Sequence, residues 1–284
     1  MKNFVPRVAA VHDISCFGRC SLTVIMPILS AMGVQVCPLP TAVLSTHLGG
    51  FTDLAFHDFT SHMSDFFHHW KREGIAFDCI YSGFLASEEQ IDVVQRFIDE
   101  FSSNHPLVVV DPVMGDDGKL YSIYTPQMQE QMKRLVKRAD ILTPNYTEAC
   151  FLLGETYQGQ VCDIAQMKKW LLRLADFGPT TVVMTGIPFE HGKILTIGYD
   201  QKEDKFFDIV TDHIPAKYPG TGDIFSSVLI GSLLHKDSLL VAMERAVNFV
   251  GLAIKTTFQA DTPTREGVVV ERVLPWLCRE VWGK

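Results

Sequence analysis

The chain has 284 residues, 47% hydrophobic and 20% charged, with a formal net charge of −8. That is enough apolar material to bury a core in one large α/β domain or two smaller ones. The acidic balance offers no basic face to nucleic acid or to an acidic membrane, so any polyanionic ligand has to be held locally. The seven cysteines, Cys16, Cys20, Cys37, Cys79, Cys150, Cys162 and Cys278, are odd in number and contain no CxxC pair. That usage suits a reducing cytoplasm better than a disulfide framework. The opening MKNFVPRVAAVHDIS is interrupted by Pro6, Arg7 and His12, and no run of 18 apolar residues occurs. The expectation is therefore a cytoplasmic protein without an export signal or membrane span.

In chain order, short apolar runs with β-branched residues predict strands at 7–12 (RVAAVH), 34–39 (VQVCPL), 77–83 (FDCIYSG), 106–112 (PLVVVDP), 140–144 (DILTP), 180–186 (TTVVMTG) and 193–199 (KILTIGY). Between them, SLTVIMPILSAM, SEEQIDVVQRFIDEF, PQMQEQMKRLVKRA, IAQMKKWLLRLADF and DSLLVAMERAVNFVGLAI repeat their apolar residues at helical spacing. Strand alternating with helix predicts a central, mostly parallel sheet covered on both faces. KILTIGY and KFFDIV, separated by DQKED, predict a hairpin that adds an antiparallel edge. Without a Ser/Gly/Pro-rich linker or an internal repeat, a single domain over 1–284 is the economical reading.

Ligands of such sheets bind outside the carboxyl ends of the strands. Those ends read His12-Asp13, Asp111-Pro112, Thr143-Pro144-Asn145 and Thr185-Gly186, joined by Gly220-Thr221-Gly222-Asp223 before a late helix. At the last of these, glycines permit a sharp turn and the first free amides of a helix favour an anion. Asp223 is a poor phosphate ligand but a good base for a hydroxyl attacking phosphorus, and taken alone it fits a helix cap equally well. Asp111, Asp116 and Asp117 surround a Gly-flanked loop that suits hydrated Mg²⁺ or a solvated turn. Asn145 and Glu148 fit the start of a helix, with Glu148 also able to carry a metal-bound water.

Other chemistries lack their signatures. His57, His62, His68 and His69 include no pair at i, i+4, which favours a polar helical segment over a zinc clamp. There is no GxSxG elbow, and HLGGF (47–51) matches neither a Walker A loop nor GxGxxG.

DPVMGD (111–116), TPNYTEA (143–149) and GTGDIFSS (220–227), in that order and spacing, resemble the vitamin-kinase branch of the ribokinase-like superfamily, especially the pyridoxal kinases. FDCIYSGFL (77–85) and PLPTAVLSTHLGGF (38–51) are similar to that family's substrate side, so the resemblance covers nearly the whole chain. It implies a three-layer α/β/α fold and an ATP-dependent kinase acting on the 5′-hydroxymethyl group of pyridoxal, pyridoxamine or pyridoxine. It further implies Asp223 as base, and Gly220, Thr221 and Gly222 as the anion hole for the migrating phosphoryl group. Asn145 and Glu148 would lie near the phosphates, Asp116 and Glu148 near Mg²⁺, and Asp111, Thr143 and Thr185 around a monovalent cation, K⁺ or Na⁺. Asp13, Thr46, His47 and Phe84 would face the acceptor. A homodimer is also implied.

The chain departs from that pattern at two places. His12-Asp13 replaces the Ser-His or Ser-Gln pair of many pyridoxal kinases and resembles hydroxymethylpyrimidine kinases, which nonetheless carry a cysteine where this chain has Asp223. Pro219 replaces a cysteine that engages the pyridoxal aldehyde in some dual-specificity members. A hydroxymethylpyrimidine kinase and a non-catalytic ligand-binding protein on the same fold are the competing readings.

Overall fold

A computed structural model describes residues 4–282. The chain divides into two compact units, one formed by the chain up to Ile80 together with the stretch from Ile214 onward, the other by Tyr81–His213.

In the first unit β1 (Arg7–Phe17) leads into α1 (Leu22–Ala31) and then β2 (Gln35–Thr46), which lies parallel to β1. A short β3 (Phe56–Asp58) adds antiparallel to β2 and is followed by α2 (Thr60–Arg72). This α2 carries His62, His68 and His69, with Met63 and Phe67 as its buried residues, whereas His57 lies in β3 and not in the helical segment expected for it. Both long strands overrun their predicted ends, β1 to Phe17 and β2 to Thr46. The pairing shifts between His12 and Ile14, where β2 advances from Pro40 to Val43, so Asp13 stands opposite a bulge in β2 and inside the strand, not at its end. Bulges re-aim side chains, and they recur beside functional sites.

Later in the chain the same unit gains α7 (Thr221–Leu234), α8 (Leu239–Ala260) and α9 (Leu274–Trp282). Every residue of α7 from Asp223 to Ser232 is buried, so a carboxylate on its first turn is largely shielded from water. Ser238 caps α8, accepting the Val241 N–H.

The second unit takes up the chain within β4 (Cys79–Ser82) and continues through α3 (Glu88–Phe101), β5 (Leu107–Val110), a small hairpin of β6 (Gly115–Asp116) and β7 (Lys119–Leu120), and α4 (Pro126–Val136). It proceeds through β8 (Ile141–Leu142), α5 (Tyr146–Leu153), α6 (Ile164–Ala175), β9 (Thr181–Phe189), β10 (Lys193–Asp200) and β11 (Lys205–Asp212). Its strand order is β11-β10-β9-β8-β5-β4, with β5, β8 and β9 mutually parallel. The helices start where side chains supply the missing acceptors: Ser87, Thr125 and Asp163 each accept a first-turn N–H of α3, α4 and α6.

The predicted hairpin is present, with β10 and β11 antiparallel and paired from Asp200 with Lys205 to Lys193 with Asp212. β10 is antiparallel to β9 as well. Thr185 and Gly186 do not end β9. They lie where its register with β10 shifts, Gly186 has φ of 67°, and the strand runs on to Phe189.

Candidate active site

Asp223 is the natural starting point. It lies in the first turn of α7, but Gly220, with φ of 80°, is the N-cap, and no side chain caps this helix. The plain capping role is thus excluded. The Asp223 carboxylate instead turns to another helix start: Oδ2 accepts the Ser21 N–H at 2.8 Å and faces the Cys20 thiol at 3.5 Å. Its Oδ1 lies 3.7 Å from His12 Nδ1. Burial raises the Asp223 pKa to about 6, Asp13 adds repulsion, and the Ser21 and Cys20 hydrogen bonds hold it back. Burial also lowers His12 to about 3, so this imidazole is neutral.

The turn ahead of α7 is closely packed. A Cβ on Gly220 would collide with the Arg19 carbonyl oxygen, and one on Gly267 would come within 2.7 Å of the same atom. Thr221 donates its hydroxyl to the Tyr218 carbonyl at 3.2 Å. Its first-turn amides, which a helix cannot satisfy from within, are left to an anion or to solvent.

Three further residues of this unit were expected at the site. Asp13 is 4% exposed and accepts the Ser15 hydroxyl at 2.8 Å; burial raises its pKa. The Thr46 hydroxyl, at the end of β2, is buried and has no hydrogen-bond partner among the described residues. His47 is engaged on both sides, Nδ1 accepting the Gly49 N–H at 3.0 Å and Nε2 lying 2.6 Å from the Arg265 carbonyl oxygen.

In the second unit α5 opens with a capping box. Asn145 Oδ1 accepts the Glu148 N–H at 2.9 Å, and Glu148 Oε2 accepts the Asn145 N–H at 2.9 Å. The sequence allowed for this cap, and the structure adds what the cap does. Glu148 Oε1 accepts the Met114 N–H at 3.1 Å, Asn145 donates to the Gly115 carbonyl at 2.9 Å, and Thr147 accepts the Gly118 N–H at 3.0 Å. The first turn of α5 thereby fixes the β6–β7 hairpin that carries Asp116. Glu148 is 3% exposed, and burial followed by the charges of Asp111 and Asp116 pushes its pKa well up.

Asp111 and Thr143 are buried beyond the ends of β5 and β8, where Thr143 N–H bonds the Val110 carbonyl. Thr185 forms a parallel bridge with Asn145 and donates its N–H to the Pro144 carbonyl. Thus Asp111, Asp116 and Glu148 interact electrostatically, and Asn145 joins Thr185. Asp116 itself is exposed and accepts the Asp117 N–H at 2.9 Å. Among the described residues no three His, Cys, Asp or Glu side chains are arranged as a ready metal cage. Mg²⁺, which takes one or two carboxylates and completes its shell with water and phosphate oxygens, does not require one. Phe84, beyond β4, is 7% exposed and edge-on to Tyr124 at 6.4 Å.

Sequence reasoning assigned no role to His12, Ser21 or Cys20, although each touches or nears Asp223. Ser21 stands before an apolar helical run, although its side chain makes no cap hydrogen bond, and His12 stands at the predicted end of the first strand. Nothing local could pair either with a residue some two hundred positions away.

The sequence profile of the phosphomethylpyrimidine kinase family matches residues 14–266. A pyridoxal kinase of Arabidopsis thaliana is 30% identical over 242 residues, covering 81% of this chain and 75% of that protein. A candidate phosphomethylpyrimidine kinase of Bacteroides thetaiotaomicron, crystallised with pyridoxal, is 42% identical with a TM-score of 0.92, covering 96% of each chain. The pyridoxal kinase of Lactobacillus plantarum is 28% identical with a TM-score of 0.86, covering 97% of each chain. The fold is ribokinase-like, a mixed α/β arrangement with a mostly parallel sheet, as the resemblance implied.

Proposed function

This chain belongs to the phosphomethylpyrimidine kinase family, and from that premise we propose that it transfers the γ-phosphoryl group of ATP to the 5′-hydroxymethyl group of a vitamin B6 vitamer. The observation that carries this reading is the Asp223 carboxylate, buried, held by a backbone amide, and set on the first turn of an uncapped helix. Phosphoryl transfer asks little covalent chemistry of a protein and depends on positioning and charge stabilisation. With its pKa near 6, Asp223 is ionised at neutral pH yet basic enough to take the hydroxymethyl proton as the oxygen attacks. Gly220, Thr221 and Gly222 present the first amides of α7 to the charge that develops on the migrating group.

Asp13 and the unpaired Thr46 hydroxyl supply polar groups to the acceptor ring, and Phe84 an aromatic neighbour. On the nucleotide side Asn145, Glu148 and Thr185 line the phosphates. The mutual repulsion of Glu148, Asp111 and Asp116 fits a cation arriving with ATP. Mg²⁺ held by Asp116 and Glu148 would neutralise the phosphate charge, and Asp111, Thr143 and Thr185 would hold K⁺ or Na⁺. Seven free thiols suit a reducing compartment such as the cytoplasm, and the family resemblance extends the proposal to a homodimer.

Relatives named pyridoxal kinase and the pyridoxal-bound structure support a B6 vitamer as acceptor. Asp13 favours the second reading, hydroxymethylpyrimidine, which Asp223 disfavours. The test is ATP consumption with Mg²⁺ and, in parallel, pyridoxal, pyridoxamine, pyridoxine and hydroxymethylpyrimidine. Turnover with at least one B6 vitamer is expected. Turnover of the pyrimidine alone would replace the acceptor, and turnover of none would remove the reading.

A further inference from the structure

The loop after β2 carries contacts that the proposed reaction does not use. His47 Nε2 lies 2.6 Å from the Arg265 carbonyl oxygen, which can only accept, so Nε2 bears the proton and Nδ1 is left to accept from Gly49. Burial favours this neutral ring. Phe51, four residues on, stands edge-on to His47 at 5.1 Å and to Phe17 at 6.0 Å. The Arg265 guanidinium lies over its face, 4.9 Å from the centroid. Gly50 has φ of 81° and passes so close to Arg265 that a Cβ there would sit 3.1 Å from the Arg265 Cβ. Gly49 borders Pro219, the residue before Gly220. A single residue, 218 positions downstream of His47, therefore grips the 47–51 loop at both ends, and the loop rests against the turn that leads to Asp223.

We propose that Arg265 and His47 form a latch that fixes the 47–51 loop in one conformation, and that this latch sets affinity for the acceptor. The inference rests on the kinase reading above and deepens it. His47 and Arg265 are positioning residues: His47 has no ring nitrogen left for a ligand, and it acts by holding the chain that continues directly from Thr46. A five-residue loop with two adjacent glycines has many alternative conformations. If it samples them, only the competent fraction binds acceptor, and apparent affinity falls by that fraction. Asp223 is held independently by Ser21, so the chemical step is unaffected by the latch.

The test uses the full chain and five variants: Arg265→Ala, Arg265→Lys, Phe51→Leu, His47→Asn and His47→Gln. Loss of the guanidinium over Phe51 in Arg265→Ala, or of the ring in Phe51→Leu, is expected to raise the pyridoxal KM about threefold. His47→Asn, which can still accept from Gly49 but cannot reach the Arg265 carbonyl, is expected to raise it about tenfold. His47→Gln, whose amide can reach that carbonyl, and Arg265→Lys should recover most of the loss. Throughout, kcat and the ATP KM should stay within about twofold of the parent. An unchanged pyridoxal KM in both His47→Asn and Arg265→Ala would overturn the latch, as would kcat falling in step with a rise in the ATP KM. Limited proteolysis of the ligand-free protein separates this from the kinase reading. Cleavage within residues 47–55 should be several-fold faster in His47→Asn than in the parent even if no acceptor is turned over, and equal rates would overturn the latch on their own.

Discussion

The Asp223 carboxylate accepts the main-chain N–H of Ser21 at 2.8 Å, across 202 positions of sequence. Because the donor is backbone, the acid is oriented without relying on a second mobile side chain, and the same contact partly offsets the rise in pKa that burial imposes. A base held this way keeps its geometry while its charge state responds to pH.

Replacing it separates geometry from charge. Asp223→Asn is nearly isosteric, and its amide oxygen can still accept from Ser21. A fall in kcat on the order of 10²-fold or more is expected in steady-state assays. The same variant should be more stable than the parent at pH 8. A carboxyl whose folded pKa is raised contributes stability that is complete below its unfolded pKa and is lost as pH rises through about 6. The parent therefore carries a burial cost at alkaline pH, on the order of 3 kcal/mol. Calorimetry should find a higher Tm for Asp223→Asn at pH 8 and the difference closing towards pH 4.

The pH dependence of kcat/KM should rise along an acid limb with an apparent pKa near 6, the value burial gives Asp223. His12 stays neutral across this range and contributes no limb there. In Asp223→Asn the residual rate should lose that limb. A limb that persists unchanged would assign it to another group.

Gly220→Ala meets two obstacles: a backbone φ of 80° and a Cβ placed into the Arg19 carbonyl. The conformation alone costs about 1–2 kcal/mol, and the neighbour is backbone that cannot swing aside. Urea denaturation should show a loss of about 2 kcal/mol or more, with activity falling further than stability because the turn carries the anion hole.

Glu148 can be tested as cap against ligand. Glutamine also serves at this position of a capping box, so Glu148→Gln should fold with little loss. If Glu148 faces Mg-ATP as proposed, this variant should raise the ATP KM about tenfold and demand more Mg²⁺ for half-maximal rate. Unchanged titrations of both would leave Glu148 as the fastener of the β6–β7 hairpin.

Thr46 offers the reverse balance. Its hydroxyl is buried with no partner among the described residues, a state that costs a protein about 1–3 kcal/mol. Thr46→Val should hold or raise the Tm while raising the acceptor KM several-fold and leaving the ATP KM unchanged.

Much of this protein can be read locally. Apolar runs mark the cores of β1, β5 and β9, Ser87, Thr125 and Asp163 mark helix starts, and DQKED marks the β10–β11 turn, because periodicity and capping act over a few residues. A helix start around Asn145, Thr147 and Glu148 was legible for the same reason, the reciprocal Asn145–Glu148 box was decided by the structure, and the ordered motifs around Asp111, Thr143 and Gly220 carried the family. Periodicity could not show that β1 continues past Asp13 opposite a bulge in β2, since a bulge appears only against a paired strand. It could not show that β9 runs on past Thr185 and Gly186 to Phe189 either. Nor could it show that the Asp223 carboxylate leaves its own helix for the Ser21 amide, or that His47 meets the carbonyl of Arg265. Backbone amides and carbonyls are the same at every position and carry no residue code, so the path of the folded chain alone decides which of them a buried side chain meets.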